Sequence, residues 1–390
     1  LTKIKQNFQD LLKETCLEDF SRPDSPTKRL PIFNFCGLTI MKHLYLFIVL
    51  GLYHTSMAQD TVKVSLTLSP EQVAEDDYNK GLSALKTNNF QAAIELFSKS
   101  IAAKQDFDKA YSNRAIAKSQ LKKFDEAIAD INTAITIAPQ NPDNFFNKSL
   151  VFMRLNMRDS QEVALDACLR LNEEHADAAY YKGLLAYEDA AYDKAISYYS
   201  IAIATNRNYT FAYNDRASVK RARGDLDGAV EDYEKALITD SSQAFIYNNA
   251  ASALRLRKNY NRAIALYTKA LKIDPKYLIA LNNRGIAHFE NNDLKSAQSD
   301  FEAVLAQDAK NASAYNNLAS IALKNKDYKK ARELSGRSIE LDAKNGPAYY
   351  NRGIARQMLR EDEASCADWR KAFELGVTGA KALINASCMD

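Results

Sequence analysis

Two sets of polar side chains recur in this sequence at a spacing that could do chemistry. Asparagine stands at Asn79, Asn113, Asn147, Asn249, Asn283, Asn317 and Asn351, each separated from the next by 34 residues or a multiple of it. A side-chain amide offers a donor and an acceptor together, which matches a peptide bond whatever side chain that peptide carries. Asparagine is a mediocre helix former, so its return in seven places calls for a reason. One reason is recognition of a ligand; the other is an amide bonded to a neighbouring helix. The second set is Arg114, Arg216, Arg284 and Arg352, each followed 16 residues later by Asp130, Asp232, Asp300 and Asp368. Arginine and aspartate appear together or not at all, as expected of a charge-assisted bond across a hairpin. An anion site is the alternative.

Other residues could support recognition or cross-linking. Tyr180, Tyr181 and Tyr187 interrupt the asparagine column and are expected to face the same surface, where they would anchor a peptide, stack on a sugar ring or pack against an irregular neighbour. Asn214, Asn248, Asn282 and Asn316 stand one position before the column and widen its polar strip. Cys366 and Cys388 could bridge if the protein reaches an oxidising compartment, and closing that loop would contribute about 3 kcal/mol in the loop-entropy model. Cys168 lies in a column of small residues and is expected to be an inert buried thiol.

Catalytic constellations are missing. His175 and His288 are far apart, which argues against a His-based zinc site or a triad. No phosphate loop, dinucleotide fingerprint, metalloprotease helix or nucleophile elbow occurs. Asp225, Asp227, Gly228 and Glu234 imitate part of a calcium loop, but Arg223 stands at its first ligand position. The expectation is a non-enzyme with no metal and no cofactor.

The elements that carry these columns follow from composition and period. The chain has 390 residues but only 12 Gly and 8 Pro, a scarcity of turn formers that favours helices. Apolar residues are 46% and charged residues 26%, as in a folded chain. A net charge of +3 gives no general reason to expect nucleic acid as a partner.

A period of 34 aligns Ala93, Ala127, Ala195, Ala229, Ala263, Ala297 and Ala331, with Gln161 and Ser365 as exceptions. Twelve positions earlier stands Gly81, Ala115, Ser149, Gly183, Ala217, Ala251, Gly285, Ala319 or Gly353, always small, so two helices must cross closely there. Bulky residues recur at Phe97, Ile131, Leu165, Tyr199, Tyr233, Tyr267, Phe301 and Trp369 to fill the adjoining space. Apolar spacing of three and four on either side of a polar turn makes each unit a helix, a turn and a second helix. Nine such units cover residues 74–379. The third, with Arg158 and Gln161 where an aromatic and an alanine are expected, departs most.

This pattern resembles the tetratricopeptide repeat family. The resemblance implies an all-α, right-handed superhelical solenoid whose first helices line a concave groove, and a non-catalytic scaffold that binds a protein or an extended peptide there. The asparagine column is similar to the ladder in the repeat domain of O-linked N-acetylglucosamine transferase, where amides hold a peptide backbone. An exported glycan-binding protein that uses the tyrosines is the alternative function.

The ends are read separately. Met41, Lys42, the apolar run Leu44 to Tyr53, and Ser56-Met57-Ala58 have the layout of a signal peptide over 41–58, too short to span a bilayer as a helix. Residues 1–40 are expected to be an upstream extension and 59–73 an extended lead-in. The mature chain is expected to be periplasmic or extracellular, with no integral membrane span. Ser69, Pro70 and Gln72 form a helix-start signal. A capping helix over 378–390 should start at Thr378 and turn Ala380, Leu383, Ile384 and Cys388 toward the last repeat.

Overall fold

The computed structural model describes residues 68–388. The signal-peptide, upstream-extension and lead-in assignments through residue 67 lie outside the described residues, as do Cys16 and Cys36. Within the described residues the chain is all-helical, with 19 helices and no strand. It divides between Asp189 and Ala190 into two compact units.

The first unit holds α1 (Pro70–Lys86), α2 (Phe90–Ala103), α3 (Asp108–Gln120), α4 (Phe124–Ile137), α5 (Pro142–Arg154), α6 (Arg158–Leu171) and α7 (Ala176–Glu188). The second holds α8 (Tyr192–Thr205), α9 (Thr210–Ala222), α10 (Leu226–Thr239), α11 (Ala244–Leu256), α12 (Tyr260–Ile273) and α13 (Leu278–Glu290). It continues through α14 (Leu294–Gln307), α15 (Ala312–Lys324), α16 (Tyr328–Leu341), α17 (Gly346–Met358), α18 (Asp362–Glu374) and α19 (Ala380–Ser387). Within each unit consecutive helices pair as hairpins: α1 with α2, α3 with α4 and α5 with α6 in the first, and α9 with α10, α11 with α12, α13 with α14, α15 with α16 and α17 with α18 in the second. Helices α7 and α8 take the sequence positions of the fourth hairpin, on either side of the division.

Local chemistry explains the boundaries. Ser69 Oγ accepts from the Gln72 N–H at 3.2 Å while Gln72 Oε1 accepts from the Ser69 N–H at 2.9 Å, a complete capping box with Pro70 at the first position. Helix α1 therefore includes residues 70–73, which the sequence reading gave to the lead-in. Side chains of Asn89, Asp225, Asn259, Asp293, Asn311, Asp327 and Asn345 cap later helices. Each turn from a first to a second helix puts one residue in the left-handed region, and of these only Gly224, at φ 84°, is glycine; Gly376, at φ 90°, follows α18. Lys122, Lys258 and Lys326 adopt φ near 60° despite the Cβ cost.

The small and large columns meet. A Cβ on Gly81 would lie 2.5 Å from Phe97, on Gly285 2.7 Å from Phe301, and on Gly353 2.4 Å from Trp369. All eight bulky residues of that column are fully buried. Each ring or branched chain removed from water contributes roughly 2–3 kcal/mol.

First helices of successive hairpins also pack on each other: α1 on α3 and α3 on α5 in one unit, and α9, α11, α13, α15 and α17 in series in the other. Second helices make no comparable contacts with one another among the described residues. Within each unit the first helices therefore form the close-packed inner side. At the C-terminus α19 packs Leu383 and Ile384 against the cluster of Trp369, Ala372 and Ala380. Its N-cap is Gly379, with no side-chain bond, so Thr378 does not cap it as expected. A threonine one residue too early cannot reach the first free N–H groups.

Candidate functional site

The asparagine column lies on the first helices, and its donors are directed along the stack. Asn113 Nδ2 donates to Tyr78 Oη at 3.1 Å and Asn147 Nδ2 to Ser112 Oγ at 2.8 Å. In the second unit Asn249 donates to Asn214 at 3.2 Å, Asn283 to Asn248 at 3.1 Å, Asn317 to Asn282 at 2.9 Å and Asn351 to Asn316 at 2.8 Å. Every one of these bonds reaches the residue 35 positions earlier in the chain. Asn79, on the first helix, is exposed. The column is thus a zipper between repeats, and Asn214, Asn248, Asn282 and Asn316 are its acceptors. The carbonyl oxygens of Asn113, Asn147, Asn283, Asn317 and Asn351 accept no hydrogen bond from the described residues and are not sealed from solvent. Half of each amide joins the repeats and the other half stays available.

The tyrosines do not form an exposed trio. Tyr180 and Tyr181 are only 3% and 5% exposed, and Tyr187 is half-buried. Tyr181 packs on Phe146 at 5.7 Å between ring centroids and edge-on to Tyr180 at 5.7 Å. Burial pushes the Tyr181 phenol far above its ordinary range. Phe146 and Tyr181 stand in the register that amide pairs occupy elsewhere. The irregular third hairpin supplied a complementary apolar surface, which drew these rings inward.

That hairpin also found local substitutes for its missing residues. Arg158 Nη2 donates to the Leu185 carbonyl at the end of α7 at 3.0 Å and pairs with Asp189 at 2.7 Å, satisfying a C-terminal carbonyl of a helix. Gln161 is buried at 6% exposure in the alanine column. Lys182 meets Glu162 at 2.9 Å and Asp166 at 2.7 Å. Cys168 is fully buried, and burial pushes its thiol up to about 12.

All four arginine and aspartate pairs are bidentate. Nε and Nη2 bond the two carboxylate oxygens at 2.8 and 2.8 Å in Arg114–Asp130, 2.8 and 2.7 Å in Arg216–Asp232, 2.9 and 2.6 Å in Arg284–Asp300, and 2.9 and 2.7 Å in Arg352–Asp368. Two further partners escaped the sequence reading. Lys118, Lys220 and Arg356 bring a second cation to the same aspartates at 2.8, 2.8 and 2.7 Å. Ser98, Ser200 and Thr268 of the preceding second helix accept from Nη1 of Arg114, Arg216 and Arg284 at 3.0, 2.9 and 3.2 Å. Both were visible as spacings, four residues after and 16 residues before the arginine. With the carboxylates saturated, these pairs fasten hairpins together.

The imitation calcium loop is likewise engaged: Asp225 caps α10, and Asp227 and Glu234 pair with Arg257 at 2.7 Å and Arg262 at 2.5 Å. Among the described residues no three His, Cys, Asp or Glu side chains converge as a metal site, and no helix is long and apolar enough to cross a membrane. Cys366 and Cys388 are joined in a disulfide with their Cα atoms 5.6 Å apart, tying the end of α19 to α18.

Models of the tetratricopeptide repeat match residues 78–142, 157–210 and 282–347, and a TPR repeat model matches 251–292, together more than half of the chain. The chain belongs to the tetratricopeptide repeat family. Its segments are similar to the Hsp70/Hsp90 co-chaperone CNS1 of Saccharomyces cerevisiae, 31% identical over 111 residues, 27% of this chain and 29% of that protein. Another relative is the Protein SGT1 homolog of Oryza sativa subsp. japonica, 30% identical over 93 residues, 24% of this chain and 25% of that one. The chain thus spans less than a third of the length of these curated relatives. A tetratricopeptide repeat protein from Parabacteroides merdae shares the fold with a TM-score of 0.54 at 18% identity, over 64% of this chain and 100% of that one.

Proposed function

We propose that this protein is a non-catalytic scaffold that holds an extended peptide segment of a partner along its first helices. The observation that carries this reading is the row of available carbonyl oxygens on Asn283, Asn317 and Asn351, on the inner side of one unit and in one register. Because each amide nitrogen is held by the preceding repeat, each oxygen has a fixed direction. A fixed acceptor binds at lower entropic cost than a mobile one. Backbone N–H groups of an extended partner supply the matching donors, each bond contributing about 0.5–1.5 kcal/mol net. Affinity then grows with the number of repeats engaged. The co-chaperone relatives support a role in protein assembly. The signal-like segment over 41–58 supports export, so the partner is sought in the periplasm or outside the cell. Burial of Tyr180 and Tyr181 removes the surface on which a glycan would have stacked.

The test is affinity capture from native envelope extract with wild type and with a variant carrying Asn249→Ala, Asn283→Ala, Asn317→Ala and Asn351→Ala, its fold verified by circular dichroism. Wild type should retain ligands that the variant loses. Equal recovery of the same ligands would remove the amide column from the binding surface.

A further inference from the structure

We propose that the cleft between the eighth and ninth hairpins is a second recognition site, one that takes a carboxylate of an acidic peptide segment. The argument comes from comparing four equivalent places in one chain. In three of them the arginine directs Nε and Nη2 to aspartate and Nη1 to a hydroxyl of the preceding second helix, Ser98, Ser200 or Thr268. The fourth place has Gly336 where that hydroxyl belongs. Arg352 binds Asp368 as its counterparts do, but its Nη1 has no hydrogen-bond partner among the described residues.

The missing side chain leaves space as well as a free donor. A Cβ built on Gly336 meets nothing within 4 Å. Around it opens a cleft of about 650 Å³ lined by α16 and α17, to which Arg332, Arg337, Arg352 and Arg356 all contribute. Arg332 is paired with Glu361 and Arg337 with Glu340. Arg356 gives Nη1 to Asp368 at 2.7 Å, and no bond forms at its Nη2. Two guanidinium edges, from Arg352 and Arg356, therefore lie side by side with donors to spare.

Planar guanidinium groups match carboxylate geometry in pairs. Glu333, Glu340 and Glu361 share the lining, and they repel a dianion such as phosphate more than a single carboxylate. The volume admits an acidic side chain with its neighbouring backbone. The cleft is lined mostly by a second helix, so it is separate from the amide column and does not depend on that column's function.

The experiment is fluorescence anisotropy of the full chain with a labelled acetyl-alanyl-glutamyl-alanine amide, which carries one side-chain carboxylate. Wild type should bind it, and Gly336→Ser, which supplies the hydroxyl the other repeats possess, should weaken binding about tenfold, the size of one bond to a charged group. Glu340→Gln should tighten it by removing a competing carboxylate. The quadruple asparagine variant should bind the probe like wild type. Equal affinity of wild type and Gly336→Ser, or no binding by wild type, would overturn the proposal. Displacement of the probe by inorganic phosphate at lower concentration than by acetate would overturn the carboxylate assignment.

Discussion

Residues 142–189 and residues 210–358 build hairpins of the same length and pairing with different chemistry at the joints. The later region is fastened by amide to amide bonds and by arginine shared between aspartate and a hydroxyl. The earlier region uses Phe146 against Tyr181, Lys182 against Glu162 and Asp166, and Arg158 on the end of α7. The difference teaches that each joint is a matched pair. A repeat can exchange polar for apolar contact if both sides change together, because an unmatched polar group left in a dry joint loses its hydration and gains nothing.

The sharpest way to break this comparison is to unmatch a charged joint. Asp232→Leu leaves Arg216 and Lys220 facing an apolar residue and should cost about 3–5 kcal/mol, whereas adding Arg216→Met should recover most of that loss. Guanidinium denaturation of the two variants measures it, and equal losses would show that the pair is not a unit. Next in size is Phe146→Asn, which brings the amide of the later region into the earlier one without its partner. It should cost about 3 kcal/mol, since Phe146 is 7% exposed and packs on Tyr181 and His175. Smallest is Asn317→Ala, which removes one bond between repeats and should cost about 1 kcal/mol, seen as faster hydrogen exchange in α13 and α15. A loss as large as that at Asp232 would mean that the zipper, not the ion pairs, carries the joint.

The repeats were legible because their cause is local. Gly81 with Phe97 and Gly353 with Trp369 are small and large at a fixed distance along the chain, and a hairpin has few ways to satisfy that pattern. Co-occurrence of Arg216 with Asp232 was legible for the same reason: both lie in one hairpin. The role of Asn283 was less legible. Its acceptor Asn248 was in view as part of a polar strip, but amides pointing into a groove and amides pointing at a neighbour produce the same column of letters. Of the three alternatives for Tyr180 and Tyr181, packing against the irregular neighbour is the one that holds, because a position on the inner side of a regular repeat turns inward where the adjacent hairpin offers Phe146.

By itself the sequence determined the helices, the 34-residue period, the start of α1 at Ser69 and the small-against-large core, all of which depend on contacts within about 34 residues. Only the tertiary structure decided which polar groups are consumed between repeats and which remain for a partner. Those contacts join residues 35 apart across separate hairpins, and the angle at which one hairpin rests on the next is set by packing rather than by the covalent chain. One glycine at position 336 has no local consequence, yet stacking turns it into a cleft.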